Sequence, residues 1–326
     1  MLCILYVNAV GVLLAVVGLL IERMLPAAAA RRWIWCAIIP MSIAVPGFYR
    51  AHHNWIVADV SVQQSVPQDP SRSLAMASLT PIDRAWWAQT QSYNGSINRV
   101  WLTISAILLV WGVANALRVA VLVSASRRKQ WIRAPAVVDG VPVVLTEQLG
   151  PATVGVLRSR VLVPRWVLAL PGMQRRYVLR HEEEHRRAHD ADVLLFASLP
   201  LLLMPWNLAL WWQIRRLSLA VEMDCDNRVV AALGDAPAYG ELLLTVAQAA
   251  SRGPRLQPAF LGGMGSLERR LTALLAPTPL RRVQRLVLPA LAIGLLFVVA
   301  WMPHPILGPN CNSSDAIASA STTTVK

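Results

Sequence analysis

The chain has 326 residues, with 31 Lys plus Arg against 18 Asp plus Glu and a formal net charge of +13. Only 15% of residues are charged and 55% are hydrophobic, at a mean hydropathy of +0.46, where an ordinary soluble domain has roughly 25% charged. This excludes a disordered chain and disfavours a nucleic-acid binder, because the basic residues lie beside apolar runs; it fits a membrane protein with an extramembrane part.

Four apolar runs come in chain order at residues 2–21, 33–49, 100–117 and 286–302. A helix crosses a bilayer with about 20 apolar residues, in a range of roughly 17–25. The first run has no basic leading region and reads as a retained span. Loop charges set the orientation. Arg23, Arg31 and Arg32 follow the first run, and Arg118, Arg127, Arg128, Lys129 and Arg133 follow the third. Arg281, Arg282 and Arg285 precede the fourth. These loops read as cytoplasmic. Residues 50–99, rich in Ser, Gln and Pro, read as an outside loop, and 303–326 as a short outside tail. Both termini are then outside.

Cys3, Cys36, Cys225 and Cys311 form no CxxC pair and no disulfide framework. Many of the Trp residues flank apolar runs and read as interfacial anchors. His52 and His53 read as exposed or interfacial.

Residues 124–285 form the large cytoplasmic part. Residues 141–145 and 154–163 read as strands, with β-branched residues bounded by Gly and Pro. Helices are expected over 174–190, 214–233, 239–250 and 266–275, with a loop over 252–265. A fifth apolar run, 193–212, is long enough to span, but Pro200 and Pro205 interrupt it.

The chemistry lies in His181-Glu182-Glu183-Glu184-His185, an HExxH pattern inside an expected helix. His at i and i+4 share a helix face, so both imidazoles can reach one zinc ion. Glu182 beside them can serve the metal-bound water as general base. The same letters also read HxxEH through Glu184, so the motif alone leaves the base open. A third ligand is needed. His189 fails, because eight residues along a helix is about 12 Å. Glu222 is the best candidate, with Asp226 one turn on as a group that orients a ligand. Asp190 reads as a helix-end residue or ion-pair partner and, like Asp226, as a candidate for orienting a metal ligand. If Glu222 and His181 share one ion, run 193–212 cannot cross the membrane. It must be a hairpin broken near Pro200–Pro205, or a buried or interfacial helix pair.

These residues together resemble a known family. His181-Glu-Glu-Glu-His185, Asp190, Pro205-Trp206-Asn207, Trp211-Trp212 and Glu222-Met-Asp-Cys-Asp226 are similar to the BlaR/MecR-type antirepressor membrane metallopeptidases. Pro151-Ala-Thr-Val-Gly155 and Val161-Leu-Val-Pro164 resemble the strand segment before that family's zinc helix. The resemblance covers roughly residues 1–302 and implies a gluzincin with His181, His185 and Glu222 on zinc and Glu182 as catalytic base. It also implies cleavage of a cytoplasmic repressor on an outside signal, often with self-cleavage. The well-known members sense β-lactams through a C-terminal penicillin-binding domain. Here about 24 residues follow the fourth run, so sensing by that route is not expected.

The expected fold is a polytopic α-helical membrane protein of four spans with a mostly helical α+β, zincin-like cytoplasmic metallopeptidase domain. Its parts are the membrane region 1–123, the catalytic domain 124–285, the fourth span 286–302 and the tail 303–326. The expected location is the inner (cytoplasmic) membrane. Zinc is the expected cofactor. The expected partners are a protein substrate, a cytoplasmic transcriptional repressor, and membrane lipid, without direct nucleic-acid contact; a homodimer stays open. Val154, Gly155 and Val156 read as an edge strand that pairs with extended substrate, with a structural strand as the equal alternative. Two other functions stay open: a membrane quality-control zinc protease, and a non-proteolytic, zinc-stabilised sensor.

Overall fold

The computed structural model describes residues 2–25, 31–46, 96, 99–118, 121, 136–146, 151–157, 159–250, 264–275 and 282–302. Most of the expected outside loop 50–99, with His52 and His53, lies outside the described residues, as do the tail and the basic residues 127–133. The described chain is mostly helical. Helix α1 is Leu2–Met24, α2 is Arg32–Pro46 and α3 is Arg99–Arg118. A small sheet follows: β1 Ala136–Val138, β2 Val141–Thr146, β3 Ala152–Val154 and β4 Arg160–Pro164. The remaining helices are α4 Arg165–Leu168, α5 Gly172–Arg187, α6 Asp190–Ser198, α7 Pro200–Leu203, α8 Leu208–Leu233, α9 Ala236–Ala250, α10 Met264–Leu275 and α11 Arg282–Trp301.

Among the described residues, two helices are long and apolar enough to cross a membrane, Tyr6–Met24 within α1 and all of α3. The second and fourth expected runs form shorter apolar helices. Large apolar side chains such as Leu109, Val110, Ile293 and Phe297 are exposed on α3 and α11. A soluble monomer rarely shows so much contiguous apolar surface.

The sheet order is β1-β2-β4-β3. β1 and β2 form an antiparallel hairpin through Asp139–Gly140, both at positive φ, as a tight hairpin turn requires. β2 and β4 are parallel. β3 and β4 are antiparallel, with Val154 opposite Arg160. The expected single strand over 154–163 is therefore corrected to a hairpin. Gly155 at φ 110 and Leu157 at φ 60 turn the chain, which β-branched content alone does not reveal.

The apolar run 193–212 is a helical hairpin. His189 takes a left-handed φ of 55, which ends α5 and lets α6 leave in a new direction. Pro200 opens the short α7. Asn207 then caps α8, its side chain accepting from the Leu210 amide at 3.2 Å. The hairpin packs among α1, α2 and α11. Its tip is level with Asn8, whose Oδ1 accepts from the Leu208 amide at 3.2 Å. The Leu203 carbonyl there accepts from Trp101 Nε1 of α3 at 2.7 Å. Along α1, Asn8 is about 21 Å from Glu22 at 1.5 Å per residue. Glu22 in turn accepts from Arg216 at 2.9 Å and from Trp35 Nε1 at 3.2 Å. Gln213 donates to the Gly11 carbonyl at 2.8 Å and to Ser42 at 3.0 Å. Glu22, Gln213 and Ser42 are thus paired with polar partners inside an apolar bundle, as burial demands. Trp35 is fully buried and meets Trp212 edge to face at 5.6 Å. Its expected role as an interfacial anchor is corrected: it packs inside the bundle.

Two apolar cores result. One joins α1, α2, α11 and the hairpin through Val10, Leu14, Trp35, Ile214 and Leu217. The other joins the sheet, α5, α9 and α10 through Val161, Val163, Tyr177, Leu179 and Leu242. α8 runs through both, contributing Leu210 to Val221 to the first and Cys225 and Val229 to the second. Glu222 falls at the boundary.

Candidate metal centre

The site is built from α5, α8, α9 and α10. On α5, His181 and His185 are one turn apart and their Nε2 atoms approach to 3.1 Å. Each ring is held at its other nitrogen. His185 Nδ1 bonds Asp190 Oδ2 at 2.8 Å. His181 Nδ1 bonds the Tyr239 hydroxyl at 2.9 Å and Cys225 Sγ at 3.3 Å. Tyr239 donates its proton to Asp226 Oδ1 at 2.7 Å, so its oxygen is free to accept from His181 Nδ1–H. Both Nδ1 atoms then act as donors, and both Nε2 atoms present lone pairs to one point. A cation between them, a proton or a metal ion, resolves that arrangement.

Glu222 faces the same point, and Cys225 stands close by. Cys225 Sγ lies with the two imidazoles, a donor atom of each within 4.8 Å of the others, and meets His181 on its Nδ1 side at 3.3 Å. Glu222 brings Oε2 to 3.6 Å from His181 Nε2 and Oε1 to 3.8 Å from His185 Nε2. Ligands about 2.0–2.1 Å from a tetrahedral zinc ion stand about 3.3 Å apart, so the residues present fit zinc. Helix α8 reaches α5 only because the hairpin returns it. His181 and Glu222 thus meet across forty intervening residues.

The electrostatics are those of a buried, balanced cluster. Burial works against a charged His181, but Cys225 and Glu222 outweigh it and push the imidazole up to about 10. His185 is likewise raised, with burial opposed by Cys225, Glu222 and Asp190. Burial would push the Cys225 thiol up, yet His181 and His185 bring it below its ordinary value. Burial also opposes a charged Glu222; the Arg270 guanidinium and the two histidines hold its carboxyl well below the usual range. Burial and Asp226 push the Tyr239 phenol far up, so it stays a donor. A cation bound between the histidines would compete with protons for their Nε2 atoms.

Glu182 is buried next to His181. Thr153 on β3 donates through Oγ1 toward the Glu182 carbonyl at 2.7 Å and its Oε2 at 3.1 Å. Glu184 faces elsewhere, paired with Arg180 at 2.7 Å and Arg228 at 3.0 Å. His189 is turned away, its side chain 62% exposed and paired with Asp192 at 3.1 Å. Val154 ends the edge strand β3, while Gly155 and Val156 lie past it. Three contributors escape sequence reasoning: Tyr239, Arg270 and Thr153. Arg270 on α10 binds Asp226 at 2.7 Å through both Nε and Nη2 and Glu222 at 2.9 Å through Nη1. Tyr239 and Arg270 belong to no local spacing pattern, and Thr153 lies in Pro151-Ala-Thr-Val-Gly155 with nothing in those letters to single out its hydroxyl.

A helix-borne His/His/Cys cluster able to hold a metal, set beside long apolar helices, defines a membrane-associated, metallopeptidase-like protein. The chain belongs to the BlaR1 peptidase M56 family, whose model matches residues 1–274. No curated protein and no solved structure matches the chain.

Proposed function

We propose that this chain is a multi-pass membrane zinc endopeptidase that cuts a cytoplasmic transcriptional repressor in response to a signal. The observation that carries the reading is the convergence of His181 Nε2 and His185 Nε2 with both Nδ1 atoms committed to acceptors. Glu222 is the third ligand in this reading. It is 19% exposed at the side chain, whereas Cys225 is fully buried beneath the histidines. A ligand set of two His and Glu would leave a fourth position open, as hydrolysis requires.

Bound zinc supplies a water of lowered pKa and a Lewis acid for the scissile carbonyl. Glu182, held by Thr153, takes the proton of the attacking water and returns it to the departing amine. Asp190 fixes His185, and Asp226 with Tyr239 fixes His181, so that each presents Nε2. An extended substrate pairs with the outer edge of β3, ending at Val154. Gly155 and Val156 follow the strand, and the turn they form limits that pairing.

The topology proposed is four spans, with α2 and α11 as the second and fourth, both termini outside, and the catalytic domain 124–285 in the cytoplasm. The basic residues flanking the spans support it. So does the seating of the hairpin tip against Asn8 and Trp101, far from Arg32 and Asp224. The centre then lies on the cytoplasmic side, at the foot of the bundle.

Co-expression with a small repressor encoded beside it, as wild type and as Glu182→Gln, tests the reading by mass spectrometry. A repressor fragment made by wild type alone is expected. Equal fragments from both chains would overturn the role of Glu182. A second reading has a specific observation behind it: Cys225 beside the two histidines. Two His, Cys225 and Glu222 together would close a four-ligand structural site, giving a zinc-stabilised sensor without cleavage.

A further inference from the structure

Asp190, which orients His185, is held from outside the catalytic domain. Its Oδ1 accepts from Arg32 Nη1 at 2.6 Å. Arg228 Nη2 stands 3.7 Å from Oδ2, beyond hydrogen-bond reach. The Arg32 and Asp190 side chains are 12% and 3% exposed, so the pair is not a screened surface contact. Arg32 is the first residue of α2. The α2 N-terminus is itself docked on α8, since the backbone amides of Arg31 and Arg32 donate to the two Asp224 oxygens at 3.0 and 3.1 Å. The other end of α2 leads toward residues 50–99.

We propose that Arg32 is a positioning residue of the metal centre, holding His185 through Asp190 and making metal affinity depend on where α2 sits. The inference rests on His185 being a metal ligand. Without Arg32, Asp190 has Arg228 as its remaining cationic neighbour, and His185 Nδ1–H loses a fixed acceptor. An outer partner of a metal-bound His is typically worth 10–100-fold in metal affinity. The contact is also short-range. A slide of α2 by half a turn, about 2.7 Å, parts Arg32 from Asp190. Events at the far end of α2 therefore reach the metal through one guanidinium. Coupling of this kind is reciprocal: metal binding must tighten the docking of α2 by the same factor.

The test uses the full chain in detergent, with zinc affinity read by competition with a chelator. Arg32→Ala should weaken zinc by about tenfold or more. Arg32→Lys should recover part of the loss. The double variant Arg32→Ala/Asp190→Asn should bind no worse than Asp190→Asn alone. In wild type, zinc should slow hydrogen exchange at the amides of residues 31–34, a readout that needs no variant to fold. Glu22→Gln, which breaks the Arg216 pair in the same bundle, should leave zinc affinity unchanged. The proposal is overturned if Arg32→Ala binds zinc like wild type while His185→Ala does not bind. It is also overturned if Glu22→Gln weakens zinc equally, or if zinc leaves exchange at 31–34 unaltered. Zinc retained by His185→Ala would overturn the metal site itself, and this inference with it.

Discussion

Arg270 grips Asp226 through two 2.7 Å hydrogen bonds from one guanidinium, across 44 residues of sequence. The third nitrogen of that fork reaches Glu222 at 2.9 Å. Burial opposes a charged guanidinium, but Glu222 and Asp226 raise Arg270 well above its ordinary value. One cation therefore serves two carboxylates on a single face of α8. One of these faces the histidines directly, and the other does so through Tyr239. Arg270 opposes burial at Glu222 and helps keep that carboxyl ionised in a buried place.

Arg270→Gln removes that cation and leaves both carboxylates buried without it. Breaking a buried pair in this way costs about 3–5 kcal/mol. We expect thermal unfolding in detergent to show a loss of that size in the metal-free protein. Saturating zinc should recover part of it, because the metal supplies positive charge at Glu222. Wild-type stability in Arg270→Gln would contradict the assignment.

Glu222 and Cys225 compete for the role of third ligand. Glu222→Gln should lower zinc affinity by more than about 100-fold, beyond the usual loss of an outer partner. Cys225→Ala should cost less than about tenfold, within that same outer range. X-ray absorption of the zinc-loaded chain should show nitrogen and oxygen neighbours at about 2.0–2.1 Å and none at about 2.3 Å, the zinc–sulfur distance. A sulfur neighbour would favour the closed structural site.

Thr153→Val keeps the size of the side chain and deletes its donor. Removing one hydrogen bond of about 0.5–1.5 kcal/mol should slow cleavage by up to about tenfold and leave zinc affinity alone. Glu182→Gln, which removes the base, should cost about 100- to 10,000-fold. If Thr153→Val cuts at the wild-type rate, the hydroxyl does not position the base.

Two glycines on apolar helices make a paired stability test. A Cβ on Gly11 would lie 2.9 Å from Ala209 Cβ of the hairpin, whereas a Cβ on Gly112 of α3 meets nothing within 4 Å. Gly11→Leu should destabilise by about 1–3 kcal/mol through overpacking. Gly112→Leu should stay within about 0.5 kcal/mol of wild type or gain slightly, since Leu favours helix over Gly. Equal melting temperatures for the two variants would mean the hairpin does not pack on α1 as described.

The sequence alone determined the apolar helices, the HExxH helix and the pairing of Glu222 with Asp226 one turn apart. With Glu222 taken to share one ion with His181, it also required 193–212 to turn back, because a spanning run would carry Glu222 away from His181. These are local facts: helical period, run length and chain reach decide them. The tertiary structure alone decided the rest. It split 154–163 into two strands, because the turn depends on positive φ at Gly155 and Leu157 and not on composition. It paired Glu184 with Arg180 and Arg228. It brought Thr153, Tyr239, Arg270 and Arg32 to the histidines from four different elements. No spacing encodes that meeting. Hydrogen bonds and ion pairs act over about 3 Å in space, and only the packing of α2, α9, α10 and β3 around α5 and α8 sets which residues come that close.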